Sequence, residues 1–146
     1  NQIVNLHELI TEQKILFDTR EDIKILYDSD SNDCMVVVRK GQIIRVIVNL
    51  LSNAIQAMEE IGHGYVRISL INDGGYYKVS FEDSGNGVKE EDVNKLFKPN
   101  FTTKSSGTGL GLAISRNIIE QSGGQIGYST SELLGGANFW FTLPIY

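Results

Sequence analysis

The chain has 146 residues, 41% hydrophobic and 21% charged, with a net charge of −5, which suits one globular domain. An acidic chain with no basic run is a poor match for nucleic acid or an anionic membrane, although backbone N–H groups and a metal can still hold a polyphosphate. The single cysteine, Cys34, excludes an internal disulfide and a cysteine-based zinc site and fits a reducing cytosol. No apolar run is long enough to span a bilayer. The start, NQIVNLHELI, lacks a basic segment followed by an apolar one, so it does not read as a signal peptide. It also lacks Met, so a fragment of a longer protein is expected.

In chain order, residues 5–17 read as a helix, with Asn5 and Glu8 at capping-box spacing and an apolar stripe of Leu6, Leu9, Ile10, Leu16 and Phe17. Residues 23–28 and 35–39 read as strands around the turn SDSND, and residues 42–60 as a long helix. YVRISLIN and YYKVSFED are strands joined at Asp73-Gly74-Gly75, which predicts a hairpin. KEEDVNKLF is a short helix with acids in its first turn, residues 98–108 a polar loop, and residues 110–121 a helix ending near Gly123-Gly124. QIGYST and ANFWFTLP form a final strand pair closed by Pro144. Paired neighbouring strands predict an α+β fold: one mixed, mostly antiparallel sheet with helices on one face, without internal repeats or linkers.

The helix over 42–60 is apolar around most of its circumference, yet Arg45, Asn49, Ser52, Asn53 and Gln56 interrupt it. At about 100° per residue these five lie within about 100° of one another and form one polar strip. A solvent-facing edge would more commonly carry Lys and Glu, because Asn and Ser disfavour helix. Asn49 and Asn53, at i and i+4, share a face, and amide oxygens can ligate Mg²⁺.

Downstream, Tyr77, Val79, Phe81 and Asp83 share strand parity. Three are apolar or aromatic, so Asp83 should point inward at the end of its strand, where a buried carboxylate needs donors. Gly85 and Gly87 beside it permit a tight turn and close approach by a flat ligand. An ordinary Asp-Ser-Gly turn would read the same way. Further on, GTGLGLAIS places Gly107, Gly109 and Gly111 at the start of a helix. It fits neither the P-loop nor the dinucleotide fingerprint, since Leu and Ala follow and no strand precedes. Bare N–H groups at a helix start still attract anions, with Thr103 and Lys104 close upstream. Flexible-hinge packing is the plainer alternative.

In combination and order these elements resemble the ATP-binding catalytic domain of two-component sensor histidine kinases, of the superfamily shared with gyrase, MutL and a heat-shock chaperone. NLLSNAIQAM is similar to the family's asparagine box, DSGNGV to its first glycine box, LFKPNFTTK to its phenylalanine box and GTGLGLAIS to its second glycine box. The resemblance covers essentially the whole chain and leans toward the nitrogen-regulation-like subgroup. It implies a two-layer α/β sandwich of the Bergerat type, with about five strands and three main helices on one face. It also implies ATP and Mg²⁺ as ligands. Asn53 would ligate the metal, Asn49 would lie beside the phosphates, and Asp83 would accept from the adenine amino group, with Gly87 lining the base and Gly85 and Val88 also in the ATP site. Phe97 and Gln56 fall in the same implied site, Thr103 and Lys104 on a lid. The backbone of Gly109, Leu110, Gly111 and Leu112 would cradle the triphosphate, with Gly107 and Thr108 also in the ATP site. Asn49 and Lys104 would stand nearest the reacting phosphate.

The chain departs from the resemblance at Gln56 and Ala57, where many relatives carry Lys and an aromatic residue; less positive charge and one fewer stacking ring imply modest nucleotide affinity. At position 49 the hydrolysing relatives carry a Glu that activates water. Asn cannot serve as a base at neutral pH, which favours transfer to a protein acceptor. His7, in LHEL, lacks the Pro that follows the family's acceptor histidine and stands too near Asn53, and His63 falls in a loop. The acceptor is therefore expected on a dimerisation domain N-terminal to residue 1, with a response regulator downstream. A nucleotide-sensing pseudokinase module and an anti-sigma-type serine kinase are the alternatives.

Overall fold

The computed structural model describes residues 1–99, 101 and 111–146. Strand β1 (Gln2–Asn5) runs directly into α1 (Leu6–Phe17), followed by β2 (Ile23–Ser29), β3 (Met35–Val38) and α2 (Lys40–Gln56). The second half comprises β4 (Gly64–Asn72), β5 (Tyr76–Asp83), the short α3 (Glu90–Val93), α4 (Gly111–Gln121), β6 (Ile126–Thr130) and β7 (Ala137–Pro144). A five-stranded sheet has the order β2-β4-β5-β7-β6, and β1 and β3 form a separate two-stranded sheet. The large sheet is mixed: β2 pairs with β4 in parallel and every other pairing is antiparallel. This is the expected two-layer α+β architecture.

The helical layer packs on one face of the sheet because alternate strand residues there are apolar. Val79, Phe81, Phe141 and Leu143 from β5 and β7 meet Ile43, Ile47, Leu50 and Leu51 of α2, all at most 1% exposed. Phe81 and Phe141 stack with ring centroids 6.3 Å apart. Burying each such side chain contributes about 1.5–3 kcal/mol, so the sheet's inner face holds α2 firmly.

Five features differ from the sequence expectations. Residues 2–5 form a strand, since Asn5 ends β1 and caps α1 at once: its Oδ1 accepts from the N–H of His7 at 3.1 Å and of Cys34 at 3.2 Å. The strands at 23–29 and 35–38 do not pair with each other; β3 pairs with β1, and β2 crosses over to β4. Helix α2 stops at Gln56 rather than residue 60, because the chain tightens there into i→i+3 bonds, Met58 N–H to Ile55 C=O at 3.1 Å and Glu59 N–H to Gln56 C=O at 3.2 Å. The helix expected through Phe97 likewise closes at Val93. In α1, Leu16 is 68% exposed and Gln13 takes its place in the buried stripe at 7%.

The C-terminus returns to the β1–β3 pair. Asn5 of β1 is paired with Met35 of β3, and the Tyr146 N–H donates to the Met35 carbonyl at 2.9 Å. One residue earlier, Ile145 N–H donates to Gly75 C=O in the β4–β5 turn at 3.0 Å.

Candidate active site

Helix α2 carries the predicted polar strip on the face left uncovered by the core. Arg45 and Gln56 are exposed, and Asn49, Ser52 and Asn53 are half-buried. Helix α4 lies against this face. The Asn49 side-chain amide donates to Ser115 Oγ at 3.1 Å, and Ser115 is 1% exposed. Gly111, the first residue of α4, is so close to Asn49 that a Cβ there would overlap the carboxamide. Arg45, Val48, Asn49, Ser52, Gly111, Ile114 and Ser115 line an open cleft of about 370 Å³. Thus α2 brings Asn49 to the start of α4, with Asn53 one turn, about 6 Å, further along.

Another turn along, the end of α2 reaches β5. A Cβ on Gly85 would sit 2.8 Å from the Ala57 carbonyl and 3.0 Å from Asp83 Oδ1, so only a residue without a side chain allows this approach. Asp83 is 1% exposed at the end of β5, on the inward face that strand parity predicts. Its Oδ1 accepts from the Gly85 N–H at 2.9 Å and the Ala137 N–H at 3.2 Å. The loop beyond is fixed by Gly87 at φ 73°, a left-handed conformation that favours glycine. Val88 N–H then donates to the Tyr128 hydroxyl at 3.3 Å. Phe97 meets Phe139 edge-on at 6.4 Å and Leu112 packs half-buried against the core.

Asn49, Asn53, Gln56, Asp83, Gly85, Gly87, Val88, Phe97, Gly111 and Leu112 are therefore on elements that border α2 and the end of β5. Thr103, Lys104, Gly107, Thr108, Gly109 and Leu110 lie outside the described residues. Three contributors escaped the sequence reading: Tyr128, Gly136 and Ala137. Gly136 N–H donates to the Asp83 carbonyl at 3.1 Å, and a Cβ on Gly136 would overlap the Asp83 carboxylate. The Gly-Gly pair before the last strand was the available signal.

Chemically, the arrangement offers a buried acceptor beside the C-terminal end of α2 and amides with bare backbone midway along it. The two positions, Ala57 and Asn49, are about 12 Å apart along the helix, which suits an elongated ligand. Among the described residues no cluster of three or more His, Cys, Asp or Glu could hold a metal ion. A metal here would rest on amide oxygens such as that of Asn53 and on oxygens of the ligand, a donor set that fits Mg²⁺.

Residues 39–146 match the family described as histidine kinase-, DNA gyrase B- and HSP90-like ATPase. The chain is 33% identical over 147 residues to the sensor histidine kinase ZraS of Escherichia coli strain K12, spanning 99% of this chain and 31% of that protein. It therefore spans about a third of the length of such curated relatives. The nucleotide-free catalytic domain of the histidine kinase ThkA superposes with a TM-score of 0.88 at 37% identity, covering 99% of this chain and 95% of that one. ThkA in complex with the response regulator protein TrrA superposes at 0.82 and 33% identity, where this chain covers 42% of that one. The chain belongs to the histidine kinase-, DNA gyrase B- and HSP90-like ATPase family, as a histidine kinase catalytic domain.

Proposed function

We propose that this domain binds ATP with Mg²⁺ and donates the γ-phosphate to a histidine on a separate dimerisation domain of the same protein, in a two-component pathway that ends at a response regulator. The observation that carries this reading is the buried Asp83 carboxylate at the Ala57 end of α2, with Asn49 and Asn53 on the same helix toward Gly111. Asp83 accepts from the adenine amino group. Asn53 holds the metal, which when bound offsets the triphosphate charge. Asn49, turned toward Ser115 and Gly111, borders the phosphates and cannot activate water, so the γ-phosphate passes to a protein nucleophile instead. The chain's contribution is positioning and electrostatic rather than covalent. His7 is engaged within the domain, its Nδ1 2.7 Å from the Tyr27 hydroxyl, which fits an acceptor outside residues 1–146.

Incubating the full-length protein with γ-labelled ATP tests this. Acid-labile, base-stable label on histidine is expected, together with loss of nucleotide binding in Asp83→Asn. Label on serine would favour the serine-kinase alternative, and binding without label the pseudokinase. Either result overturns histidine transfer.

A further inference from the structure

Resting on the reading of Asp83 as the base acceptor, we infer that Ser131 and Glu82 form a positioning pair that sets the geometry of the base site from the opposite face of the sheet. Glu82 precedes Asp83 in β5 and points to the other side, yet it is only 8% exposed, and Ser131 is 1% exposed. Ser131 Oγ donates to Glu82 Oε1 at 3.1 Å and accepts from the Leu134 N–H at 3.0 Å. The second carboxylate oxygen, Oε2, takes a hydrogen bond from Arg67 at 3.2 Å, and Arg67 also holds Asp28 on the edge strand at 2.9 Å.

Ser131 begins the turn between β6 and β7. Its N–H donates to the Gly136 carbonyl at 2.7 Å and its carbonyl accepts from Gly135 N–H at 2.8 Å, so the turn closes on itself around the serine. The same turn delivers the Gly136 N–H to the Asp83 carbonyl and the Ala137 N–H to Asp83 Oδ1. Adjacent residues of β5 thus grip the two ends of one turn: Glu82 holds its start and Asp83 its finish. The turn cannot drift without changing the Ala137–Oδ1 bond, because Gly136 is packed against the Asp83 carboxylate with no room for a side chain. A buried carboxylate with charged and hydroxyl partners is retained at a desolvation cost. The register of the turn, and through it the aim of Asp83, is what that cost secures.

Ser131→Ala and Glu82→Ala remove the pin, and Glu82→Gln keeps an acceptor for Ser131. Nucleotide affinity of the folded proteins is measured by displacement of a fluorescent ATP analogue with ATP and with GTP. Loss of the pin is expected to weaken ATP about five- to tenfold, the scale of one hydrogen bond, and GTP less than twofold, so the preference for adenine narrows. Glu82→Gln restores most of it, and the double alanine variant is no worse than either single one. A merely structural role would scale both nucleotides alike. Wild-type ATP affinity and preference in the alanine variants, or equal losses for both nucleotides, would overturn the pair. Intact ATP binding in Asp83→Asn would instead overturn the base-site reading on which the pair rests.

Discussion

Asn49 on α2 and Gly111 on α4 are in direct contact, and no side chain fits between them. The two helices come together here through the hydrogen bond from Asn49 to Ser115 and through the absence of a Cβ. Gly111→Ala should therefore displace the Asn49 carboxamide. The helix-propensity gain of about 1 kcal/mol partly offsets the crowding, so thermal stability changes little. ATP affinity should fall about tenfold while adenosine affinity stays near wild type, as read by calorimetry. Equal losses for both ligands would show that this part of α2 does not border the phosphates.

Ser115→Ala leaves Asn49 without the hydroxyl acceptor seen here. Because Ser115 is buried and Asn49 half-buried, a loss of about 1 kcal/mol in stability is expected. Phosphotransfer should slow as the amide loses its fixed orientation. The pair is read by denaturant unfolding and by initial rates; unchanged rates would leave Asn49 a packing residue only.

Gln56 is exposed near the end of α2. Gln56→Lys adds a cation on the strip face without disturbing the core. ATP should bind about two- to fivefold more tightly at low salt, with the gain shrinking as salt rises. Titration at two ionic strengths checks this.

Cys34 is 2% exposed, its Sγ donates to the Ser31 carbonyl at 3.4 Å, and burial raises the thiol pKa. Reaction with a thiol reagent at pH 8 should be slow in the native protein and rapid in denaturant. Fast labelling under native conditions would place Cys34 in a segment that opens locally.

Burial pushes the Tyr27 phenol up to about 12. The folded state therefore holds this proton more tightly than the unfolded chain, whose phenol titrates near 10. The associated stability is complete below about pH 10 and is lost as pH rises toward 12. Tyr27→Phe should flatten the fall in stability across that window, followed by unfolding at fixed alkaline pH values. Ultraviolet titration should show one late phenol missing in the variant.

The parts of this molecule that were legible in the sequence are those whose side chains announce themselves. Strand parity placed Asp83 inward, and the Asn-Ser-Gln strip on α2 was visible as a break in an apolar helix. What escaped notice acts through backbone or through distant pairing. Residues 2–5 are too short a run to stand apart from the helix they cap. The β2–β4 pairing joins segments separated by the whole of α2, whereas the local turn suggested a hairpin. Ala137 contributes only an N–H, which leaves no trace in residue type. Alternation along β5 puts Glu82 on the outer face, and nothing in its neighbours' identities reveals that Ser131 and Arg67 bury it there.

The last residues lie at the Met35 corner, where the Tyr146 N–H reaches the Met35 carbonyl, while Ile145 ties that corner to the Tyr76 end of β5. Asp83 stands at the other end of the same strand, roughly 23 Å away for a strand of this length. The C-terminal residues and Asp83 thus stand at opposite ends of one strand. A tilt of about 20° about that corner sweeps the far end through about 8 Å, given that arm, with no rearrangement inside the domain. On the proposed reading, whatever grips this corner moves the Asp83 end toward or away from an acceptor by turning the domain as a whole.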